Sequence, residues 1–83
     1  MPTNHDIAAI FNEIADILDI QGKNEFRIRA YRNAARIIES MGQSLIDRYR
    51  ENPESLKTIP GIGEGLREKI NEFCETEHIA EYE

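Results

Sequence analysis

The chain has 83 residues and a formal net charge of -6, with 40% hydrophobic and 31% charged residues. This length limits it to one domain with a small core, and the composition is typical of a globular chain and excludes disorder along its whole length. No apolar run approaches the roughly 20 residues of a membrane span, and the N-terminal residues lack the pattern of a signal peptide. We therefore expect a cytoplasmic protein with no membrane partner.

Charge is distributed unevenly along the chain. All ten basic residues lie between Lys23 and Lys69 together with seven acidic ones, so this segment has a net charge of +3. The segments on either side contain acidic side chains and no Lys or Arg. The acidic total therefore conceals a basic middle that suits an anionic partner. A partner protein with a basic surface, recognised by the acidic segments, is a less favoured alternative.

The hydrophobic spacing predicts an all-α fold, a compact bundle of about four helices. The first helix begins near Asn4, with Thr3 or Asn4 as N-cap, and ends at Gly22. Its apolar positions follow a spacing of three and four residues, at Ile7, Ile10, Phe11, Ile14, Ile17 and Leu18.

The second helix is predicted from Asn24, its N-cap, to about Met41, and it ends at Gly42. Its expected core stripe comprises Phe26, Ala30, Ala34, Ile37, Ile38 and Met41. Helical geometry places a cluster of three arginines on the opposite side, at Arg29, Arg32 and Arg36. The same geometry places Arg27 and Tyr31 together on the rim beside the stripe.

Three helical segments follow in the second half of the chain. The stretch "QSLIDRYREN" predicts a short third helix, and "PESLKT" predicts one further turn with Pro53 at its first position. The stretch "GEGLREKINEFCETE" predicts the last helix, with Leu66, Ile70 and Phe73 facing inward. Cys74 is the only cysteine, so no intramolecular disulfide can form, and we expect a half-buried thiol.

The stretch "IPGIG" joins the last two helical segments. Pro60 and Gly61 suit the two central positions of a type II turn, where the second residue needs a positive φ. Apolar residues continue in register across the turn at Leu56, Ile59, Ile62, Leu66 and Ile70. This pattern predicts a helix-hairpin-helix over residues 53–76.

The hairpin offers a phosphate-binding surface. Gly61 and Gly63 lack side chains, so an anion can approach the backbone N–H groups at the start of the last helix. Lys57 and Lys69 add positive charge on the two sides of the turn. Contacts from backbone amides to phosphates are independent of base sequence. The alternative is a tight turn that only joins two packed helices.

Two blocks of sequence resemble a known family. The stretches "GKNEFRIRAYRNAARII" (residues 22–38) and "LKTIPGIGEGLREKINEF" (residues 56–73) are similar to the N-terminal domain of family X DNA polymerases, and the similarity covers about residues 4–77. It implies that residues 1–83 are a single helical DNA-binding domain, the N-terminal part of a DNA-directed DNA polymerase of base excision repair. Nucleotide addition, with its divalent metal, would belong to another domain.

The resemblance also implies a binding partner and a cellular location. The expected partner is gapped DNA, bound on its 5′-phosphate side without sequence specificity by a monomeric, nucleoid-associated protein. Several family members also remove a 5′-deoxyribose phosphate by β-elimination, through a lysine Schiff base. By position, that lysine is Lys69, which the helical spacing places at the edge of the buried face. Partial desolvation there would favour the neutral amine that attacks. The alternatives are a surface Lys69 paired with Glu72, and a non-catalytic module that tethers an enzyme to DNA.

Other positions correspond to further family roles. Tyr31 matches a tyrosine of the lyase pocket, and Phe26 matches a ring that stacks on a base, although a core role for Phe26 is equally compatible. Arg27 and Lys57 match phosphate contacts. The DNA-binding hairpin includes Gly61, Gly63 and Gly65, and Gly65 stands where the polymerase beta type has a lysine, which predicts weaker phosphate affinity. The only expected cofactor is a monovalent cation, Na⁺ or K⁺, on the carbonyls of Lys57, Ile59 and Ile62.

Overall fold

The computed structural model describes residues 3–76, which form four α-helices and one short 3₁₀ helix. Their bounds are Asn4–Ile20 (α1), Glu25–Ser40 (α2), Leu45–Glu51 (α3), Pro53–Thr58 (the 3₁₀ helix) and Glu64–Thr76 (α4). The predicted all-α fold is confirmed, and so are the short third helix and the turn that begins at Pro53. Residues 3–76 contain no strand, and none of their helices is long and apolar enough to cross a bilayer.

Side-chain caps fix where the helices begin. The Thr3 hydroxyl accepts a hydrogen bond from the Asp6 N–H at 3.1 Å, and the Asp6 carboxylate accepts one from the Thr3 N–H at 2.9 Å. These bonds lower the pKa of Asp6. The Asn24 side chain accepts from the Phe26 N–H at 2.8 Å and so caps α2. Both predicted caps are confirmed, and each satisfies a backbone donor that the helix itself leaves unpaired.

The core forms where α1 packs against α2. The rings of Phe11 and Tyr31 meet edge to face, with centroids 5.7 Å apart and planes at 86°. Ala15, Ala34 and Ala35 are almost fully buried, and their small side chains let the two helices approach closely. On α1 the fully buried positions include Ala8 and Ala15, whereas the predicted Ile10 and Ile17 are half-buried.

The predicted core stripe of α2 is confirmed for Ala34 and Ile38, while Ala30, Ile37 and Met41 are half-buried against the core, and it is wrong for Phe26. The buried residues of α2 are Ile28, Tyr31, Ala34, Ala35 and Ile38. Phe26 is 74% exposed, which excludes the core role that the periodicity allowed. Tyr31, expected on the rim, is 2% exposed. The edge-to-face contact with Phe11 explains the difference, because burial of the large Tyr31 ring stabilises the fold more than full burial of the smaller Ala30 side chain would.

Helix α4 closes the bundle. Leu66, Ile70 and Phe73 are buried as predicted, and they continue the core from the 3₁₀ helix and the hairpin. Cys74 is half-buried, also as predicted, and this burial raises the pKa of its thiol to about 11. The thiol is therefore protonated at neutral pH, and it packs as an apolar group.

Candidate nucleic-acid interface

The Pro60-Gly61 turn is held against α2. Gly61 has a φ of +87°, in the left-handed region that the predicted type II turn requires. The side-chain amide of Asn33 donates a hydrogen bond to the Gly61 carbonyl oxygen at 3.3 Å. The buried side chains of Ile59 and Ile62 anchor both sides of the turn in the core. Gly61 therefore helps to hold the hairpin in place against α2. It does not line the cleft described below.

The first turn of α4 is open to solvent. The Gly63 carbonyl accepts a hydrogen bond from the Arg67 N–H at 2.9 Å, which puts Gly63 at the N-cap position. A β-carbon on Gly63 or Gly65 would have no neighbouring atom within 4 Å. Neither glycine therefore places a side chain over the first turn of α4, whose leading N–H groups have no partner within the helix. A helix start of this kind is where proteins commonly bind phosphate.

A cleft of about 420 Å³ lies between α2 and α4. Its size falls within the range of small-molecule sites. Six of the residues that the sequence analysis assigned to the site line it, namely Phe26, Arg27, Tyr31, Gly63, Gly65 and Lys69. The remaining lining comes from Ala30, Leu66 and Glu68. Residues that are more than 30 positions apart in the sequence are thus brought around one cavity.

The lining side chains differ in exposure. The Arg27 side chain is exposed, Lys69 is half-buried, and the Tyr31 ring lies at the inner wall, almost out of solvent. Phe26 stands exposed at the mouth of the cleft. The cleft thus combines two cationic side chains, one phenol and one open helix start. Glu68 contributes an opposing charge at its edge.

Lys57 lies outside this cleft. Its Nζ atom is 2.7 Å from a carboxylate oxygen of Glu54, and both side chains are largely exposed. The hydrogen bond and the charge of Lys57 lower the pKa of Glu54. Lys57 lines a different cavity together with Arg67, and of the residues around that cavity Glu68 also lines the cleft. The structure therefore separates Lys57 from Lys69, although the sequence analysis assigned both to the hairpin site.

A second surface shares Phe26 with the cleft. Arg29, Arg32 and Arg36 lie exposed along α2 and surround a shallow groove of about 650 Å³ together with Phe26, Ala30 and Asn33. Helical spacing predicts the position of these arginines opposite the core stripe but indicates no function for them. Asn33 could not be identified as a site residue, because nothing in the sequence indicates that its amide contacts the hairpin.

Among residues 3–76, no group of three or more His, Cys, Asp or Glu side chains is arranged to hold a metal ion. The family model described as "Helix-hairpin-helix domain" matches residues 2–79. No curated protein sequence matches the chain. The match includes all the helices and the glycine-bearing turn described above. The chain belongs to the helix-hairpin-helix domain family, whose members generally bind DNA.

Proposed function

We propose that this chain is the N-terminal domain of a family X DNA polymerase and binds gapped DNA through the phosphate at the downstream 5′ end. The observation that supports this most directly is the convergence of Gly63, Gly65, Arg27 and Lys69 on one cleft. A terminal phosphate carries more negative charge than a phosphodiester and is less hindered. An open helix start flanked by two cations favours such a group.

The binding step follows from the positions of these groups. The N–H groups of the first turn of α4 would hold phosphate oxygens, with Arg27 adding a bidentate charged contact from α2. These groups recognise phosphate and make no base-specific contact, so the expected binding is independent of base sequence. Phe26 at the mouth would offer a flat face to a neighbouring base.

We further propose that Lys69 gives the domain deoxyribose phosphate lyase activity. Its Nζ would attack C1′ of the open-chain sugar aldehyde, and loss of water would form a Schiff base. A water molecule then takes a C2′ proton, the electron pair left behind forms a C2′=C3′ double bond, and the C3′–O bond breaks, so that the downstream strand leaves with a 5′-phosphate. Hydrolysis releases the sugar and returns the free amine. Tyr31 at the inner wall of the cleft would orient the sugar.

A monovalent cation at the hairpin forms part of the proposal. The carbonyl oxygens of Lys57, Ile59 and Ile62 are neutral, hard donors, a set that suits Na⁺ or K⁺ better than a transition metal. The cation would add a positive charge that draws a DNA phosphate to the hairpin.

A non-catalytic tethering module is the second candidate. The observation that favours it is Gly65, which supplies no charge to the cleft where the polymerase beta type has a lysine. In this case the cleft would still bind the 5′-phosphate, and Lys69 would contribute only electrostatic attraction.

Covalent trapping tests the two candidates in one experiment. The chain is incubated with a gapped duplex bearing a 5′-deoxyribose phosphate, sodium borohydride is added, and any adduct is mapped by mass spectrometry. We expect an adduct on Lys69 that Lys69→Ala abolishes. The matched control Lys57→Ala, which removes a lysine outside the cleft, should retain it. If the wild-type chain binds this DNA in the same tube and no adduct forms, the lyase proposal is wrong and the tethering role remains.

DNA binding itself needs a separate measurement. Fluorescence anisotropy on gapped duplexes with and without the 5′-phosphate should show tighter binding to the phosphorylated form, and the difference should shrink as salt rises. Equal affinity for the two duplexes would rule out the 5′-phosphate as the recognised group.

A further inference from the structure

The exposed side of α2 forms a positively charged groove, which we call the arginine face and define as Arg29, Arg32 and Arg36 with Phe26 at one end. None of these side chains is buried. Phe26 and Ala30 line both this groove and the Lys69 cleft, so the two cavities are neighbours along α2. Three arginines on one exposed strip of a chain with a net charge of -6 indicate a surface adapted to an anionic ligand.

The arginines are available for such a ligand. Arg29 makes no ion pair with any side chain of residues 3–76. Arg32 lies 2.9 Å from the Asp16 carboxylate of α1, and the two side chains are 43% and 64% exposed. An ion pair with this exposure is weak, so a phosphate can replace the carboxylate at little cost. Arg36 donates a hydrogen bond to the Asn33 side chain.

The spacing of the arginines fits a nucleic-acid strand. Arg29 and Arg36 are seven residues apart, which is about 10 Å along a helix axis. A stacked strand rises about 3.4 Å per nucleotide, so this distance spans about three phosphates. Phe26 lies at the N-terminal end of the row, where its ring can stack on a base. Stacking requires an unpaired base, and the face therefore suits a single strand.

We propose that the arginine face binds the unpaired stretch of the DNA strand that lies opposite the break. The cleft would hold the 5′-phosphate of the interrupted strand, and Phe26 would stand where the two strands part. This inference rests on the proposed DNA-end binding but assigns a ligand to a surface that the cleft does not include.

The test compares two duplexes by fluorescence anisotropy across a salt series. Both have the same recessed 5′-phosphate, and in one of them the complementary strand continues as a short unpaired extension. The wild-type chain should bind the extended duplex more tightly. The triple variant R29Q/R32Q/R36Q should lose this gain and keep its preference for a 5′-phosphate. For the extended duplex, the slope of the logarithm of the binding constant against the logarithm of the salt concentration should become shallower by about 2. This corresponds to about 0.7 for each of the phosphates that lose an arginine partner.

Single substitutions sharpen the result. Phe26→Ala should weaken binding of the extended duplex at least about fivefold, as loss of one stacked base predicts. Asp16→Asn should tighten it, because this change frees Arg32 from its carboxylate. Arg50→Gln is the matched control, since it removes an exposed arginine from α3 and leaves both surfaces intact. Circular dichroism checks that each variant remains helical.

Four outcomes decide between the proposals. Equal binding of the two duplexes by the wild-type chain, or an undiminished gain in the triple variant, would overturn the role of the arginine face. A gain from the extension without any preference for a 5′-phosphate would support the arginine face and refute the proposed cleft function. A gain that Arg50→Gln removes as fully as the triple variant would indicate nonspecific attraction and also overturn the proposal.

Discussion

The Cδ1 atom of Ile37 lies 2.8 Å from the position that a β-carbon on Gly61 would take. Gly61 also has a φ of +87°, which costs other residues about 1–2 kcal/mol. Because Cδ1 is the end of a side chain that can shift, the backbone conformation accounts for most of the expected cost. We expect Gly61→Ala to lower the free energy of unfolding by at least about 1 kcal/mol, as measured by urea denaturation.

The control for this substitution is Gly42→Ala. Gly42 has an ordinary φ, and a β-carbon there would meet no atom within 4 Å, so alanine at this position should be neutral or slightly stabilising. Equal stability of Gly61→Ala and wild type would show that the turn has another conformation in solution.

A substitution at Gly63 tests DNA binding without lowering the stability of the fold. Aspartate is a preferred N-cap residue, and its carboxylate interacts favourably with the N-terminus of a helix. Nothing in the structure obstructs a side chain at position 63. Gly63→Asp should therefore leave the melting temperature unchanged or raise it, while its negative charge in front of the α4 amides should weaken DNA binding more than tenfold.

The matched control is Gly42→Asp, which adds the same charge at another open glycine, outside the cleft. It should weaken DNA binding far less than Gly63→Asp does. If the two variants lose affinity equally, the effect is one of net charge, and the start of α4 does not contact phosphate.

Gly65 is the position for a gain of function. A lysine there would place a third cation beside the cleft, where the structure has room for it. Gly65→Lys should tighten binding of 5′-phosphorylated DNA and steepen the log–log salt dependence by about 0.9, the value for one added phosphate contact on duplex DNA. Gly65→Gln, similar in shape and uncharged, is the control. An equal gain from glutamine would refute the electrostatic explanation.

The contact between His5 and Glu39 predicts a pH dependence of stability. His5 Nδ1 lies 2.7 Å from a Glu39 carboxylate oxygen and links the start of α1 to the end of α2. The hydrogen bond and charge of Glu39 raise the pKa of His5 above its ordinary value of 6.5. The contribution to stability is therefore fully present below pH 6.5 and is lost as the pH rises through the higher folded-state pKa.

Thermal melts of wild type and His5→Gln test this sign. The wild type should melt at a slightly higher temperature at acidic pH, and the difference should vanish at alkaline pH. It should remain small, because both side chains are exposed. Glu39→Gln should behave in the same way as His5→Gln. A difference that grows with pH would contradict the assignment.

Helix boundaries could be predicted from the sequence because they depend on local chemistry. Thr3 and Asn24 cap helices through bonds to residues two or three positions away. The buried side of α2 could not be predicted in the same way. Apolar residues occupy so much of its circumference that two stripes fit the helical period, one with Phe26 and one with Tyr31. The ring of Phe11, on another helix, favours the second.

The candidate site could be predicted only in part, for a similar reason. The glycines and Lys69 follow from the hairpin sequence, and the resemblance added Arg27 and Tyr31. The separation of Lys57 from the cleft depends on the angle between the 3₁₀ helix and α4. The grouping of the arginines with Phe26 depends on which side of α2 is buried. The spacing of residues along α2 predicts the cluster of arginines, but the addition of Phe26 to it and the separation of Lys57 are properties of tertiary packing.

The nitrogen and the oxygen of the Asn33 side-chain amide contact two different residues. Its nitrogen donates to the carbonyl of Gly61 in the hairpin, and its oxygen accepts from Arg36 on the arginine face. The hairpin and the exposed side of α2 are therefore linked through a single planar group. A change that moves the Arg36 guanidinium, such as binding of an anion, would therefore reach the Gly61 turn through this one amide, although the two residues lie 25 positions apart in the sequence.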